Sequence, residues 1–577
     1  VSAREGETGS ATASAVSRAR ESARLPIWLA ALLALLIAQR VLYHVAYVSH
    51  DPFALVTFSD GQLYEEAARD VLAHAPLGSQ PFFLQGLYVY LLACGLALRG
   101  ALTDALFLQL ALCALAYLAF FRAARAWHGA LEGVLCGCAL LSNAALAFYE
   151  NKYLSAALGV ACNTLALGAF VSLRARPSAL RAFALGLATA LSILARPNLL
   201  LAAPFSAVAL LMLPRPGARA APLMAAWGIG VVLGIAPLAA RNALVTGTAS
   251  VLPSHGGGIP FYIGNNPSAT GLWNNAGGLL SGQVLNERRE LSQRLQLPSD
   301  LPNLDDAIGG ALYARAFAFI RSQPRAWLGI EAKKVWYLVG NHEFVHDYDW
   351  LGEAELLGHA RPWGMPFGVL LGAGLLGLGS LAWGAREDRA LCVMLCGQIA
   401  AVLVANLLWF TSAQNRVPLV VPLAFAAGPG ACTAWRLLAK LRRPDAFELS
   451  GAAARLLIAA ISCTLITAQA FVSRHAAARP SAAHYYNLAN VEESLGRNRE
   501  ALDHYARAAQ AMPAQPMFWL RLAHLARRTG EPERALQALD RLRGVADVPA
   551  AIRAAAENER RSIESTKTVR SEPNPAD

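Results

Sequence analysis

Apolar runs, most of them close to the length a bilayer core demands, recur along almost the whole chain and leave few folds open to it. They occupy roughly 27–47, 83–98, 104–121, 131–149, 153–173, 180–195, 197–213, 222–240, 366–384, 390–410, 417–436 and 455–472. A helix rising 1.5 Å per residue needs about 20 such residues to cross a hydrocarbon layer of roughly 30 Å. Charged residues make up 15% of the 577 positions, against about 25% in a soluble chain. The expected fold is all-α, a polytopic bundle of membrane helices.

The formal net charge of +11 could point to nucleic acid, but its distribution excludes that partner. The basic residues fall in short gaps between apolar runs: Arg174, Arg176 and Arg181, then Arg215 and Arg219, then Arg386 and Arg389, then Arg436, Lys440, Arg442 and Arg443. Cytoplasmic loops are marked in this way by the positive-inside rule. The rule places two long polar segments, 48–82 and 241–365, on the outer side, together with everything after 472. Eight crossings before residue 240 would break that parity. One run must therefore be re-entrant or fused with its neighbour, with 83–121 and 180–213 the most compact. The expectation is about eleven crossings in a membrane domain spanning 25–473, seven before the long loop and four after it.

Residues 1–24 lack periodicity and read as a disordered cytoplasmic tail. The run from Ile27 to Tyr47 is too long for a signal peptide and is interrupted by Gln39-Arg40, so it is expected to be a retained first helix. All nine cysteines lie in apolar runs. Cys136 and Cys138, or Cys392 and Cys396, have no neighbouring His or acid and read as small buried hydrophobes.

The C-terminal part has a different pattern. Tyr485 recurs as Trp519, Leu488 as Leu522, Gly496 as Gly530 and Ala501 as Ala535, each about 34 residues apart, the tetratricopeptide period. Two helical hairpins are expected over 481–545. Two copies seldom suffice alone, so Ala550–Ile563 is expected to cap them within 546–577, with the residues after about 564 disordered.

Chemistry is sought where polar residues gather beside the apolar runs. In the first outer loop, Tyr64, Ala67, Ala68 and Val71 have helical spacing, which predicts an amphipathic helix at the membrane surface. Asp60 sits just ahead of it, where it could be a reacting carboxylate or a helix cap. The second loop opens with Arg241-Asn242 and continues through His255, three glycines, Tyr262, Asn265 and Asn266. Such amides suit sugar hydroxyls or phosphate oxygens, although a structural turn fits the same residues. Arg196, Arg241 and Arg416 all fall on the outer side. They could snorkel, or they could together hold an anionic ligand. His342 and His346, flanking Glu343, could hold a metal on a helix, but Gly340 and Asn341 favour a turn.

In combination, Ser59-Asp60-Gly-Gln-Leu-Tyr64, Ala195-Arg-Pro-Asn198, Arg241-Asn242, Gly257 through Asn266 and Arg416-Val-Pro418 resemble bacterial members of the GT-C glycosyltransferase superfamily. The resemblance is to the family 39 group of protein O-mannosyltransferases and lipid A aminoarabinose transferases. It covers about 27–440 in scattered motifs. It implies that Asp60 is the catalytic or acceptor-orienting residue, and that a sugar moves with inversion from a polyprenyl-phosphate donor to an extracytoplasmic hydroxyl. Tyr64, Arg196, Arg241, Asn242, His255, Asn265, Asn266, Glu343 and Arg416 are the expected substrate-binding residues. The setting implied is a bacterial cytoplasmic membrane with its active face and repeats outside. The acceptor would be a protein or an envelope glycan, and the repeats could bind a protein partner.

Two departures limit this. Gly61 stands where the mannosyltransferases have an acid, and Phe83-Leu-Gln-Gly-Leu-Tyr88 lacks the carboxylate and lysine of the aminoarabinose enzymes. No metal ligand is carried over and no cofactor is expected, with a divalent metal left as the minor alternative. A glycan ligase or polymerase would use an outer-loop His/Arg site instead. A transporter or scaffold would show repeated membrane halves or midplane charges.

Overall fold

A computed structural model describes residues 26–213, 220–254, 257–280, 284–298, 300–301, 304–344, 347–441, 451–472, 480–546 and 548–571. The N-terminal tail 1–24, Arg215, Arg219, His255, His346, Arg442 and Arg443 lie outside these residues. Every expected apolar run is helical, and the described residues contain no strand. Inside lipid a helix satisfies its backbone within its own segment.

The first of two units comprises 1–45, 59–346 and 362–475. Its helices are α1 (Ile27–His50) up to residue 45, α2 (Asp60–Ala73), α3 (Gly86–Arg99), α4 (Leu102–His128), α5 (Ala130–Leu141), α6 (Ala144–Glu150), α7 (Ser155–Ala175), α8 (Ala179–Ala195), α9 (Ala203–Met212) and α10 (Ala220–Thr246). In the long loop come α11 (Gly258–Gly264), α12 (Val284–Arg294), α13 (Leu304–Ser322) and α14 (Pro324–Val339), with α15 (Trp350–Leu357) in the second unit. The bundle then closes with α16 (Phe367–Ala382), α17 (Arg386–Leu408), α18 (Val420–Leu441) and α19 (Gly451–Val472).

Among the described residues six helices are long and apolar enough to cross a membrane, and a seventh crossing results if the pair α5 and α6, bent by 60°, is one span. Shorter apolar helices, among them α3, α8, α16 and the Pro197–Met212 segment, complete the bundle. Apolar side chains cover its outer surface: Val232 and Leu233 of α10 are 64% and 55% exposed. On a polytopic membrane protein that surface faces lipid. Where α8 and α10 cross, a Cβ on Gly186 would lie 2.0 Å from the Trp227 carbonyl oxygen, and one on Gly230 2.3 Å from that of Phe183. Small residues are what allow membrane helices to approach so closely.

An arginine sits at the bend. Arg40, the polar break in α1, donates to the carbonyls of Leu140 (3.3 Å), Leu141 (3.1 Å) and Asn143 (3.2 Å). Leu141 O is an end-of-helix carbonyl of α5, and Leu140 O and Asn143 O also accept from the backbone N–H groups of Asn143 and Ala147 (3.3 Å each). The same guanidinium pairs with Glu150, which also accepts from Tyr117. A broken helix at membrane depth is tolerated where buried side chains re-satisfy its backbone.

The second unit joins 46–58, 347–361 and 476–577. Two helical hairpins, α20 (Ala482–Ser494) with α21 (Asn498–Ala511) and α22 (Pro516–Arg528) with α23 (Pro532–Arg543), turn after Gly496 (φ 75°) and Gly530 (φ 81°). Ala501 and Ala535 are fully buried at matching positions, and Leu488 and Leu522 are buried. The last helix, α24 (Ala550–Ser571), places Ile563 in the same core and runs past the point where disorder is expected. Phe53 packs edge-on against Tyr348 at 5.7 Å and lies 6.4 Å from His484.

Asp349 links these segments: Oδ1 accepts from Leu351 N (2.8 Å) and Gly352 N (3.0 Å) to cap α15, and Oδ2 accepts from Ser481 N (2.9 Å). Burial alone would raise its carboxyl, but the N–H groups of Ser481 and Gly352 outweigh this and hold it below the usual range. A depressed folded value means that the contribution is complete above the unfolded value, about 3.9, and is lost as pH falls below it. Asp349→Ala is expected to cost the unit about 1–3 kcal/mol. Thermal unfolding of wild type and variant should then converge as pH drops through that range; equal stability at pH 7 would contradict this.

Candidate functional site

The site begins where α2 begins. Ser59 has φ 52° and ψ −130° and makes no side-chain cap hydrogen bond. A residue with a side chain adopts such a conformation at a cost of about 1–3 kcal/mol, and strain of this kind concentrates at functional sites. It sets Asp60 inside the first helical turn rather than at the cap, where the N-terminal backbone dipoles favour a carboxylate. One turn on, Tyr64 is 2% exposed. Burial pushes its phenol well above the ordinary value, and Asp60 adds to this. Tyr64 is therefore neutral. Its hydroxyl donates to Gln85 Oε1, which also accepts from Ser155 Oγ at 3.1 Å, and its ring meets Tyr88 edge-on at 4.7 Å. Gln85 is the N-cap of α3 and Ser155 the first residue of α7, so one amide gathers the starts of two helices around Tyr64.

Arg196 completes the group from the end of α8, where Pro197 cannot continue the helical hydrogen bonding. Its electrostatic neighbours are Tyr64, Tyr149 and Asp60. The side chain is 8% exposed. Among the described residues the guanidinium makes one hydrogen bond, to the Gln414 carbonyl, of the five its N–H groups can donate. Its stem lies over Gly159, where an added Cβ would come 2.5 Å from Arg196 Cγ. Gly159→Val is expected to displace Arg196 and weaken binding of an anionic ligand about tenfold, an order-of-magnitude figure for one charged hydrogen bond. Titration with polyprenyl phosphate checks it, and unchanged affinity would exclude Arg196 from that site.

The other two arginines have different duties. Arg241 donates through Nε to Leu77 O (2.7 Å) and through Nη2 to Gln80 O (2.6 Å), and it stacks 3.6 Å from the centre of Phe82. From the opposite side, Asp70 accepts from Ser79 N (2.6 Å) and Gln80 N (3.2 Å). Gly78 (φ 70°) lies between them; its Cβ would stand 2.8 Å from Asp70 Oδ2. The first loop is knotted here rather than open. Arg241→Gln is expected to speed amide exchange across 77–82 by about tenfold or more, from loss of charged hydrogen bonds. Unchanged exchange would show that Asp70 suffices.

Arg416 serves the end of α14, donating to the carbonyls of Leu338 (3.2 Å), Gly340 (2.6 Å) and His342 (3.1 Å) and pairing with Glu343 at 2.6 Å. Asn242 accepts from Arg241 (3.0 Å) and donates to Ser250 O (2.6 Å). Asn265 donates to Phe261 O (2.8 Å) and Leu408 O (2.7 Å) and accepts from Trp327 Nε1 (3.0 Å). Asn266 closes a turn by donating to Tyr262 O (2.8 Å) and accepting from Ser268 N (2.7 Å). Of the residues expected at one site, Asp60, Tyr64 and Arg196 come together, while Arg241, Asn242, Asn265, Asn266, Glu343 and Arg416 bind protein groups elsewhere. His342 lies beyond the end of α14, and among the described residues no group of three His, Cys, Asp or Glu could hold a metal ion.

Gln85, Tyr149 and Ser155 adjoin Tyr64 or Arg196 in this candidate group and were not among the residues expected from sequence. One signal was available: Glu150-Asn151-Lys152, directly after Tyr149, is a polar break between two apolar runs.

No family model matches the chain, and no curated protein matches it significantly. Among solved structures it is similar to the archaeal oligosaccharyltransferase AglB from Archaeoglobus fulgidus in complex with an inhibitory peptide and a dolichol-phosphate. The identity is 14%, over 82% of this chain and 59% of that one, at a TM-score of 0.35. It is also similar to ArnT from Cupriavidus metallidurans bound to undecaprenyl phosphate, with 16% identity over 71% of this chain and 78% of that one, at a TM-score of 0.30. The chain thus spans about three-fifths of the length of AglB. With TM-scores below 0.5, these likenesses assign no residue a role here.

Proposed function

We propose that this chain is an integral membrane glycosyltransferase that moves a sugar from a polyprenyl-phosphate donor to an acceptor hydroxyl on the outer face of a bacterial cytoplasmic membrane. The observation behind the reading is the grouping of Asp60 and neutral Tyr64 with an arginine whose N–H donors are largely uncommitted among the described residues. A lone carboxylate at the end of an interfacial helix would be weak support. A carboxylate in electrostatic reach of a buried arginine offers an acid–base group beside a group suited to an anion.

In the proposed reaction the acceptor oxygen attacks the anomeric carbon as Asp60 takes its proton. The bond from that carbon to the phosphate oxygen breaks with inversion, and the electron pair leaves on the polyprenyl phosphate. Arg196 faces the negative charge that grows there. Tyr64 positions these groups through Gln85 and Ser155. The hairpins of the second unit are proposed to be tetratricopeptide repeats that present the acceptor or a protein partner.

The test uses full-length protein in liposomes carrying polyprenyl-phosphate sugars and a hydroxyl acceptor. Release of unglycosylated polyprenyl phosphate in step with sugar transfer is expected. Donor binding without turnover would favour a scaffold, and no binding of any such lipid would remove the reading.

A further inference from the structure

One turn before Arg196 on α8, the membrane bundle encloses a small cavity. Its polar wall is Asn163 of α7, Thr189 and Ser192 of α8, Ser206 of α9 and Gln398 of α17, with apolar side chains between them. Asn163 and Gln398 are 3% and 2% exposed. Among the described residues Asn163 Nδ2 has no acceptor and Gln398 Oε1 has no donor. Buried polar atoms left in this state are costly, and they call for a partner.

The hydroxyls narrow what that partner is. Thr189 Oγ1 donates to Leu185 O (2.8 Å), Ser192 Oγ to Ala188 O (2.9 Å) and Ser206 Oγ to Ala202 O (3.2 Å). Each has spent its one hydrogen on its own helix and offers the cavity lone pairs alone. The wall therefore presents a donor that needs an acceptor and several acceptors that need a donor. A cation would meet the Asn163 amide hydrogens and no carboxylate. An anion would meet the lone pairs. A neutral molecule that both accepts and donates suits every group. The space in which the centre of a water can move is about 10 Å³, close to what one buried water requires.

We propose that this cavity holds a single structural water that accepts from Asn163 Nδ2 and donates to Gln398 Oε1 and to a neighbouring hydroxyl. The water ties α7 to α17 alongside the break between α8 and α9, and it gives the polar wall a partner that the helices do not supply. Bound water is one of the means by which interrupted membrane helices satisfy freed polar groups.

Two measurements on the full chain decide this, neither depending on enzymatic activity. In a high-resolution structure of the wild type, one ordered density should lie within hydrogen-bond distance of both amides. Direct contact between the amides, or an empty cavity, would overturn the proposal. In detergent, Asn163→Leu and Gln398→Leu should each lower the apparent Tm by several degrees, because each leaves the water short of a partner. The double variant should recover most of that loss, as coupled neighbours do. Additive losses would contradict a shared water, and the wild-type density answers independently if a variant fails to fold. A Tm that rises in sodium chloride but not in choline chloride at equal ionic strength would identify a cation site and overturn the assignment.

Discussion

Asp60→Asn is expected to lower kcat for sugar transfer by about 10²–10⁴, the contribution typical of a positioned general base. Asparagine keeps the shape of the side chain and its place in the first turn of α2, so Tyr64 and Arg196 keep their packing and lose one neighbouring charge. What is removed is the capacity to take the acceptor's proton. The KM for the donor should change much less, because its phosphate is assigned to Arg196. Removal of an interaction realised only in the transition state lowers kcat and kcat/KM together. Arg196→Ala should show the complementary pattern, with a raised KM for the lipid donor and a further loss in kcat as the leaving charge goes unmatched. Release of polyprenyl phosphate by each variant in liposomes separates the two. An Asp60→Asn protein that transfers sugar at the wild-type rate would remove Asp60 from the mechanism, whatever it does to stability.

The helices were legible in the sequence because their cause is local: a run of apolar residues in lipid has little alternative to satisfying its backbone in place. The amphipathic helix that Asp60 opens was legible from its spacing, and Tyr64, Ala68 and Val71 are buried along it. The roles of the arginines were not. Arg196, Arg241 and Arg416 are alike in sequence, each at the edge of an apolar run on one expected face. They differ in how many N–H donors the fold consumes, and that depends on carbonyls distant in sequence, such as Leu77 for Arg241 and Gly340 for Arg416. Asn265 and Asn266 were ambiguous for a related reason. An amide beside glycines suits a sugar or a turn equally until its partners are known, and here they are backbone groups and Trp327. Gln85, an isolated residue between a glycine and a leucine, had no pattern to mark it. Its importance comes from the convergence of Tyr64 and Ser155 on one oxygen.

Arg40→Met should be the most damaging single substitution to the membrane unit, at about 3–5 kcal/mol, the cost of breaking a buried ion pair by removing one partner. The side chains of Arg40 and Glu150 are 10% and 4% exposed, so water is poorly placed to rescue the carboxylate left behind. The Leu141 carbonyl loses its arginine donor in the same step, at the point where the α5–α6 segment bends by 60°, while Leu140 O and Asn143 O keep the backbone N–H groups of Asn143 and Ala147 (3.3 Å each). Methionine fills most of the volume, so the loss reports polar satisfaction rather than a cavity. A second change separates the two components. In Arg40→Met with Glu150→Gln the unpaired charge is gone while the arginine hydrogen bonds to the three carbonyls stay lost, so part of the stability should return and part should not. Reversible unfolding in mixed micelles measures both variants, and the yield of monodisperse protein gives a second reading if the single variant is too unstable to titrate. Full recovery in the double variant would assign the whole effect to the buried charge and leave the bend to be held by its own backbone. No loss in the single variant would show that the Arg40 network does not hold the bend.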